Sequence, residues 1–415
     1  MKKDLQIKLK ARQTRVALRY EYYEQKKGML NFNIAVPDTM KSLTSVLGWC
    51  GKAVDSLSDR LIFRDFLDDD FGIGDIYNMN NPDILFDSAI SAALIGACSF
   101  LYVTQDAAGN PIIQVIDGCN ATGTIDETTG MLTEGYAVLK RDKKGKAVTE
   151  AYFEPNKTTV TEDGVDTVFK HPVAYPLLVP VIYRPSAKRP FGHSYISRSC
   201  MNIIQQARET VRLMMVSAQF FSFPQRYVVG TDEKMDFERW KVAIATMFSI
   251  DRGESDVVPH VGQFEQQSME PLFAQLKTYA ALFSGETGLT IEELGFKESN
   301  PSSAEAIQNM REPMIRNALK AQRNFGSAFL NAGICAASLR DGVGYERSEF
   351  YRTKARWMPV FSPNLTGATG DAIQKINMAI PGFFDKEMLS TLLGIEPADG
   401  GEAIDLGEVF DGQSE

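Results

Sequence analysis

Apolar positions along this chain recur with two different periods, and the places where the period changes mark its organisation. Residues 1–27 read as a charged helix. Between Thr39 and Arg60, residues Leu43, Val46, Leu47, Cys50, Val54 and Leu57 fall at three- and four-residue steps, with Leu61 just beyond. That spacing predicts one apolar helix face. A second helix is expected from Asn81 to about Gly96, entered through Pro82-Asp83. From Ser99 the period shortens to two. Strands are predicted at 99–104, 112–116, 135–140, 148–153, 157–161 and 167–170, with turn chemistry at 106–111, 142–145 and 162–164. The result is an α+β unit with an antiparallel sheet. Residues 171–180 carry three prolines and read as an extended connector, since proline cannot donate to a central ladder.

Helical periodicity returns at Ser194. Ile196, Ile203, Ile204, Ala207, Val211, Met214, Met215, Ala218 and Phe221 share a face of a long helix over 194–222. A small module follows, with a strand at 225–229, a helix over 237–247 and an extended piece at 256–261. A second helix is expected from Met269 to about Ser284. The last long helix opens at Ser302-Ser-Ala-Glu305, a capping box, and runs to about Leu339 before Asp341-Gly342. Pro313 predicts a kink near Asn309. A strand at 353–360 and one or two helices within 370–393 complete the chain, with an acidic tail after Pro397.

Composition narrows the chemistry. The 415 residues are 44% hydrophobic and 23% charged, with net charge −9, which disfavours adhesion to nucleic acid by bulk attraction. The densest basic segment is the first 27 residues, read as a solvated helix face or arm. Cys50, Cys98, Cys119, Cys200 and Cys335 lie far apart without metal or redox spacing, so they read as buried thiols in a reducing compartment. Met1 leads into charged sequence rather than an apolar signal core, and no run reaches the ~20 apolar residues of a membrane span. A soluble intracellular protein without membrane contact is the expectation. His171, His193 and His260 have no partner at helical metal-ligand spacing, and no phosphate loop exists. Asp65, Asp68, Asp69, Asp70 and Asp75 lack calcium-loop spacing and read as a solvated loop. No catalytic residue, metal ligand or cofactor is therefore expected.

The loop over 284–303 is far longer than the 2–8 residues that usually join helices, and such loops are functional or disordered. Leu289, Ile291, Leu294 and Phe296 are too apolar for a disordered linker. They pack either as a lid over their own core or around an axis shared with other copies.

Three segments carry a resemblance to the tailed-phage portal proteins, the head–tail connector family. They are Gly48-Trp-Cys-Gly-Lys-Ala-Val-Asp-Ser-Leu-Ser-Asp-Arg-Leu61, Arg189-Pro-Phe-Gly-His-Ser-Tyr-Ile-Ser197, and Glu286 through Ile307 around the long loop. The resemblance covers about residues 35–395. It implies a homo-oligomeric ring, a dodecamer of about twelve subunits built head to tail, at one capsid vertex. It also implies a fold divided into a charged arm (1–30), an α+β wing (31–193), stem helices (194–222 and 269–284), a small α/β clip (223–268), a tunnel loop (285–302), a long kinked helix returning to the wing (303–395) and an acidic tail (396–415). Against that pattern, a reduced or absent helical crown is expected after Leu393. Implied partners are the terminase large subunit, the head–tail adaptor, the major capsid and scaffold proteins, and double-stranded DNA in passage. The protein would sit in the virion, and in host cytoplasm during assembly.

Site residues follow from that resemblance. Leu289, Ile291, Leu294 and Phe296 would pack the tunnel loop, with Glu292, Glu293 and Lys297 beside them and Lys297 a candidate phosphate contact. Arg208 and Arg212 would face the channel or form an intersubunit ion pair. Phe237 and Trp240 would anchor a clip contact or form the clip's own core. Replacing Leu294 with Asp is expected to leave rings intact and block packaging. Two rivals make different demands. Another virion structural or adaptor protein would form no ring with a central hole. A metal-dependent DNA-processing enzyme would need Asp65 and Asp68–Asp70 to gather around Mg²⁺.

Overall fold

The computed structural model describes residues 2–29, 42–221, 226–229, 260–263, 268–296, 304–360 and 368–380, and structural statements concern these residues. The protein is mixed α/β and divides into two compact units, one of residues 1–13, 55–194 and 315–415, the other of residues 14–54 and 195–314.

In the first unit, α4 (Pro82–Gly96), whose Phe86, Ala89, Ile90 and Leu94 are buried, packs against β2 (Cys98–Gln105) and β3 (Pro111–Ile116). The β2–β3 turn forms as its sequence predicts: the Asp106 carboxylate accepts the amides of Ala108 and Asn110 at 2.9 and 2.8 Å. The single predicted sheet is in fact two. One has the order β3-β2-β9, with β9 at Leu178–Ile182; the other is a meander of β4 (Ala121–Ile125), β5 (Leu132–Arg141), β6 (Ala147–Glu154), β7 (Lys157–Glu162) and β8 (Val165–Lys170). All these pairs are antiparallel. β9 (Leu178–Ile182) corrects the reading of 171–180 as connector throughout. Pro180 sits opposite Phe100 on an edge strand, where a missing amide costs no ladder bond.

The acidic run is also structured rather than a solvated loop. β1 (Phe63–Leu67) pairs with β12 (Lys354–Trp357), and α3 spans Ile73–Asn78. Arg356 grips the Asp65 carboxylate with two bonds of 2.6 and 2.5 Å. Asp69 accepts the amides of Ile73 and Gly74 at 2.9 and 2.6 Å, satisfying the open N-terminus of α3. Beneath them lies an aromatic cluster: Phe63 to Phe86 is 4.3 Å, Phe86 to Phe329 4.7 Å, and Phe63 to Trp357 5.2 Å between ring centroids. Phe329 belongs to α7 (Ala304–Asp341), a helix that continues through Pro313. The capping box proposed at 302–305 begins outside the described residues. Gly333 lets α7 meet α3: a Cβ there would lie 2.3 Å from the Ile73 side chain.

α1 (Lys2–Tyr23) is no free arm. Leu5 and Leu9, 2% and 4% exposed, form a cluster with Tyr136 and Val138 of β5. Lys8 donates to the Gly123 carbonyl at 2.6 Å, and the Arg12 guanidinium lies 5.1 Å from the Phe191 ring and donates to the Cys98 sulfur. The basic residues straddle an apolar stripe that spacing alone could have shown.

In the second unit the expected helix over 39–60 is shorter. α2 spans Trp49–Ser58, residues 43–48 are irregular, and 30–41 lie outside the described residues. Ser45 explains the loss, because its polar groups are used elsewhere. Its hydroxyl donates to the Arg208 carbonyl at 2.6 Å and its own carbonyl accepts from Arg208 Nε at 2.8 Å. α5 (Arg198–Phe221) packs against α6 (Glu270–Thr287). A two-stranded ribbon, β10 (Arg226–Val229) and β11 (His260–Gln263), lies between them in sequence. The helix expected at 237–247 is outside the described residues. α8 (Ala368–Ala379) is the last described element. All five cysteines are free thiols, and burial pushes each above its ordinary pKa, Cys119 and Cys335 to about 12.

Candidate functional site

The loop after α6 is fastened to its own unit from its first residue. α6 ends at Gly288, whose φ of 77° turns the chain, and whose amide donates to the Ser284 carbonyl at 2.7 Å. The Tyr195 hydroxyl donates to the Thr287 carbonyl at 2.6 Å, and the Ser284 hydroxyl to the Leu289 carbonyl at 2.6 Å. Thr290 and Glu293 then close a reciprocal box. The Thr290 amide donates to the Glu293 carboxylate at 2.8 Å, and the Glu293 amide donates to the Thr290 hydroxyl at 3.2 Å. Amides of Leu294 and Phe296 both return to the Ile291 carbonyl, at 3.1 and 3.2 Å. Gly295, with φ of 96°, allows that reversal.

This backbone turns the apolar side chains inward. Leu289 is 2% exposed and Leu294 7%. Phe296 is partly covered, meeting Trp49 edge-on at 6.4 Å and Phe273 at 5.9 Å, while Trp49 meets Phe283 at 5.7 Å. Ile291 is half-buried and Glu292 exposed. Within the protomer, then, the described part of the loop covers its own unit. A cleft of about 120 Å³ remains beside it, lined by Ser284, Leu289, Thr290, Ile291, Glu292 and Met310. Sequence reasoning did not single out Trp49, Tyr195 or Phe273 as supports of the loop. The Thr290–Glu293 spacing, that of a capping box, was available as a signal.

The two arginines of α5 are framework residues of the protomer. Arg208 is 6% exposed and spends its guanidinium on the carbonyls of Ser45 and Lys27, each at 2.8 Å. Burial pushes its pKa down. Arg212 is 1% exposed and pairs with Glu209 one turn earlier at 2.5 Å. Neither therefore presents a free charge at the protomer surface, and the ion pair of Arg212 is within the chain. Lys297, Phe237 and Trp240 lie outside the described residues. Among the described residues no three His, Cys, Asp or Glu side chains gather as a metal site. Asp65 and Asp69, which a nuclease would need, are held by Arg356 and the start of α3.

A family model described as phage portal protein, SPP1 Gp6-like, matches residues 3–397. The chain belongs to the phage portal protein family. Portal proteins of Mycobacterium phages L5 and D29 are 22% and 23% identical over 381 residues, covering 86% of this chain and 77% of theirs. Among solved structures, a chain from the neck of an empty gene transfer agent particle shares 13% identity, with a TM-score of 0.47 over 84% of this chain and 90% of that one. A chain from the neck of the native particle, computed with C12 symmetry, shares 14%, with a TM-score of 0.46 over 88% and 95%. The three sequence segments quoted for the portal resemblance thus lie within the matched span. Trp49 of the first and Tyr195 of the second both support the loop of the third.

Proposed function

We propose that copies of this chain close head to tail into a ring of about twelve subunits, a heterologous interface in which two different faces of each copy meet. The ring stands at one capsid vertex and forms the passage for DNA packaging and ejection. The observation that carries this reading is the match to the portal family across residues 3–397. In it, residues 31–193 with the return over 303–395 supply the wing, α5 and α6 the stem, residues 223–268 the clip, and residues 285–302 the loop nearest the DNA. The clip is the docking place for the terminase large subunit and later the head–tail adaptor, and the wing meets capsid and scaffold proteins. The site of action is the virion, with assembly in host cytoplasm, and the role is structural rather than catalytic. The α5–α6 pair with a ribbon between them in sequence is consistent with a stem that carries a clip.

Native mass and negative-stain images of the purified full chain test it. End-on rings with a hole wide enough for a DNA duplex are expected. A chain that stays monomeric even when mixed with capsid and scaffold proteins would defeat the reading.

A further inference from the structure

α6 offers two unlike flanks to its surroundings. At about 100° per residue, Leu282 and Ser284 lie roughly 200° apart around the helix. Ser284 borders the cleft of about 120 Å³ together with Leu289, Ile291 and Met310, and Glu292 supplies the only charge among the described lining residues. A cavity of this order accepts a group the size of a benzene ring, so an aliphatic side chain fits. On the other flank, Leu282 is 53% exposed, an uncovered leucine on a helix whose Leu276, Ala280 and Phe283 are buried. One turn further along α6, the Glu286 carboxylate accepts from the Ser197 hydroxyl at 3.3 Å. Glu286 lies one turn from Leu282 on the same flank of α6, and exposed Arg198, the first residue of α5, directly follows the Ser197 that this bond holds there. One flank therefore has a leucine beside a cation, and the other a partly apolar cleft with a single anion at its rim.

We propose that these flanks are the two halves of one contact between copies of this chain. Leu282 of one copy enters the cleft of the next, and its Arg198 meets that copy's Glu292. The occupant is a second copy because apolar surface and charge complement each other in both respects, cation to anion and exposed side chain to partly apolar cleft. Since each half lies on a different side of α6, docking consumes one flank and leaves the other open, which propagates head to tail instead of stopping at a twofold dimer. The inference rests on the ring reading and assigns residues to it.

Sedimentation velocity on the full chain, for the wild type and four variants, tests this. Leu282→Asp, Glu292→Arg and Arg198→Glu should each lower the assembled fraction roughly tenfold, with circular dichroism unchanged because all three side chains face solvent or the rim. The Arg198→Glu/Glu292→Arg double variant should regain most of the lost assembly. If the wild type forms rings but the single variants match it, or the double variant stays as impaired as the singles, the contact is overturned while the ring stands. A wild type that never assembles, with or without capsid and scaffold proteins, overturns both.

Discussion

Leu294 shows how burial changes the meaning of a single substitution. On a loop reaching into a channel, an aspartate there would disturb only what passes. At 7% exposure, beneath a turn closed by Thr290 and Glu293, it would instead bring a carboxylate into the core of the second unit. We expect Leu294→Asp to lose roughly 3 kcal/mol of stability, the lost apolar burial adding to the cost of an unpaired charge. Urea unfolding followed by tryptophan fluorescence should show it, with Trp49 close to the loop through Phe296. Glu292→Ala, on an exposed side chain, should leave the unfolding midpoint unchanged. An unshifted midpoint for Leu294→Asp would mean that the loop does not cover its unit in solution. Arg208 teaches the same lesson in reverse. A basic residue on a long helix invites a role toward phosphate, yet both of its named bonds go to backbone carbonyls of residues 27 and 45.

At the scale of elements, α1 was the most misleading. Seven lysines and arginines dominate its sequence, and they mask the four-residue step from Leu5 to Leu9 that anchors the helix to β5. Leu9→Ala should therefore cost about 2–4 kcal/mol, the usual toll of deleting a buried leucine. Lys3→Ala, on an exposed position, should cost nearly nothing. Chemical denaturation of the two variants side by side checks this, and equal stabilities would return α1 to the status of a loose arm. The elements that were legible had strong local signals: α4 through Pro82, the β2–β3 hairpin through Asp106, and α6 through its apolar face. Those that were not legible depend on distant residues. β1 exists because residues 354–357 pair with it, and α2 starts late because Arg208 occupies the groups of Ser45. The long loop was recognised by its length and apolar content, but the residues that hold it came from Trp49 and Tyr195, far away in sequence. No local period announces a partner more than 90 residues off.

For the whole molecule, the decisive quantity is charge toward DNA. The chain carries 53 acidic against 44 basic residues, a net charge of −9. Glu286 at the end of α6 and Glu292 in the described part of the loop are exposed, and Arg208 and Arg212 of α5 are buried in the protomer. A passage that conducts DNA in both directions must not hold it. Each phosphate neutralised by a cation adds about 0.9 to the slope of log affinity against log salt and deepens the well that moving DNA must leave. With so few exposed cations among the described residues of these elements, the slope for linear duplex should stay below about 2, and the dissociation constant should be in or above the roughly 10⁻⁶–10⁻⁴ M range of non-specific binding. Fluorescence anisotropy on labelled duplexes of unrelated sequence, titrated from low to physiological salt, measures both. Affinities should be equal for all sequences and vanish early in the salt series. Tight binding that survives physiological salt, or a slope of several units, would mean that the chain grips DNA through a basic surface. It would then have to be placed where the duplex is held rather than where it slides.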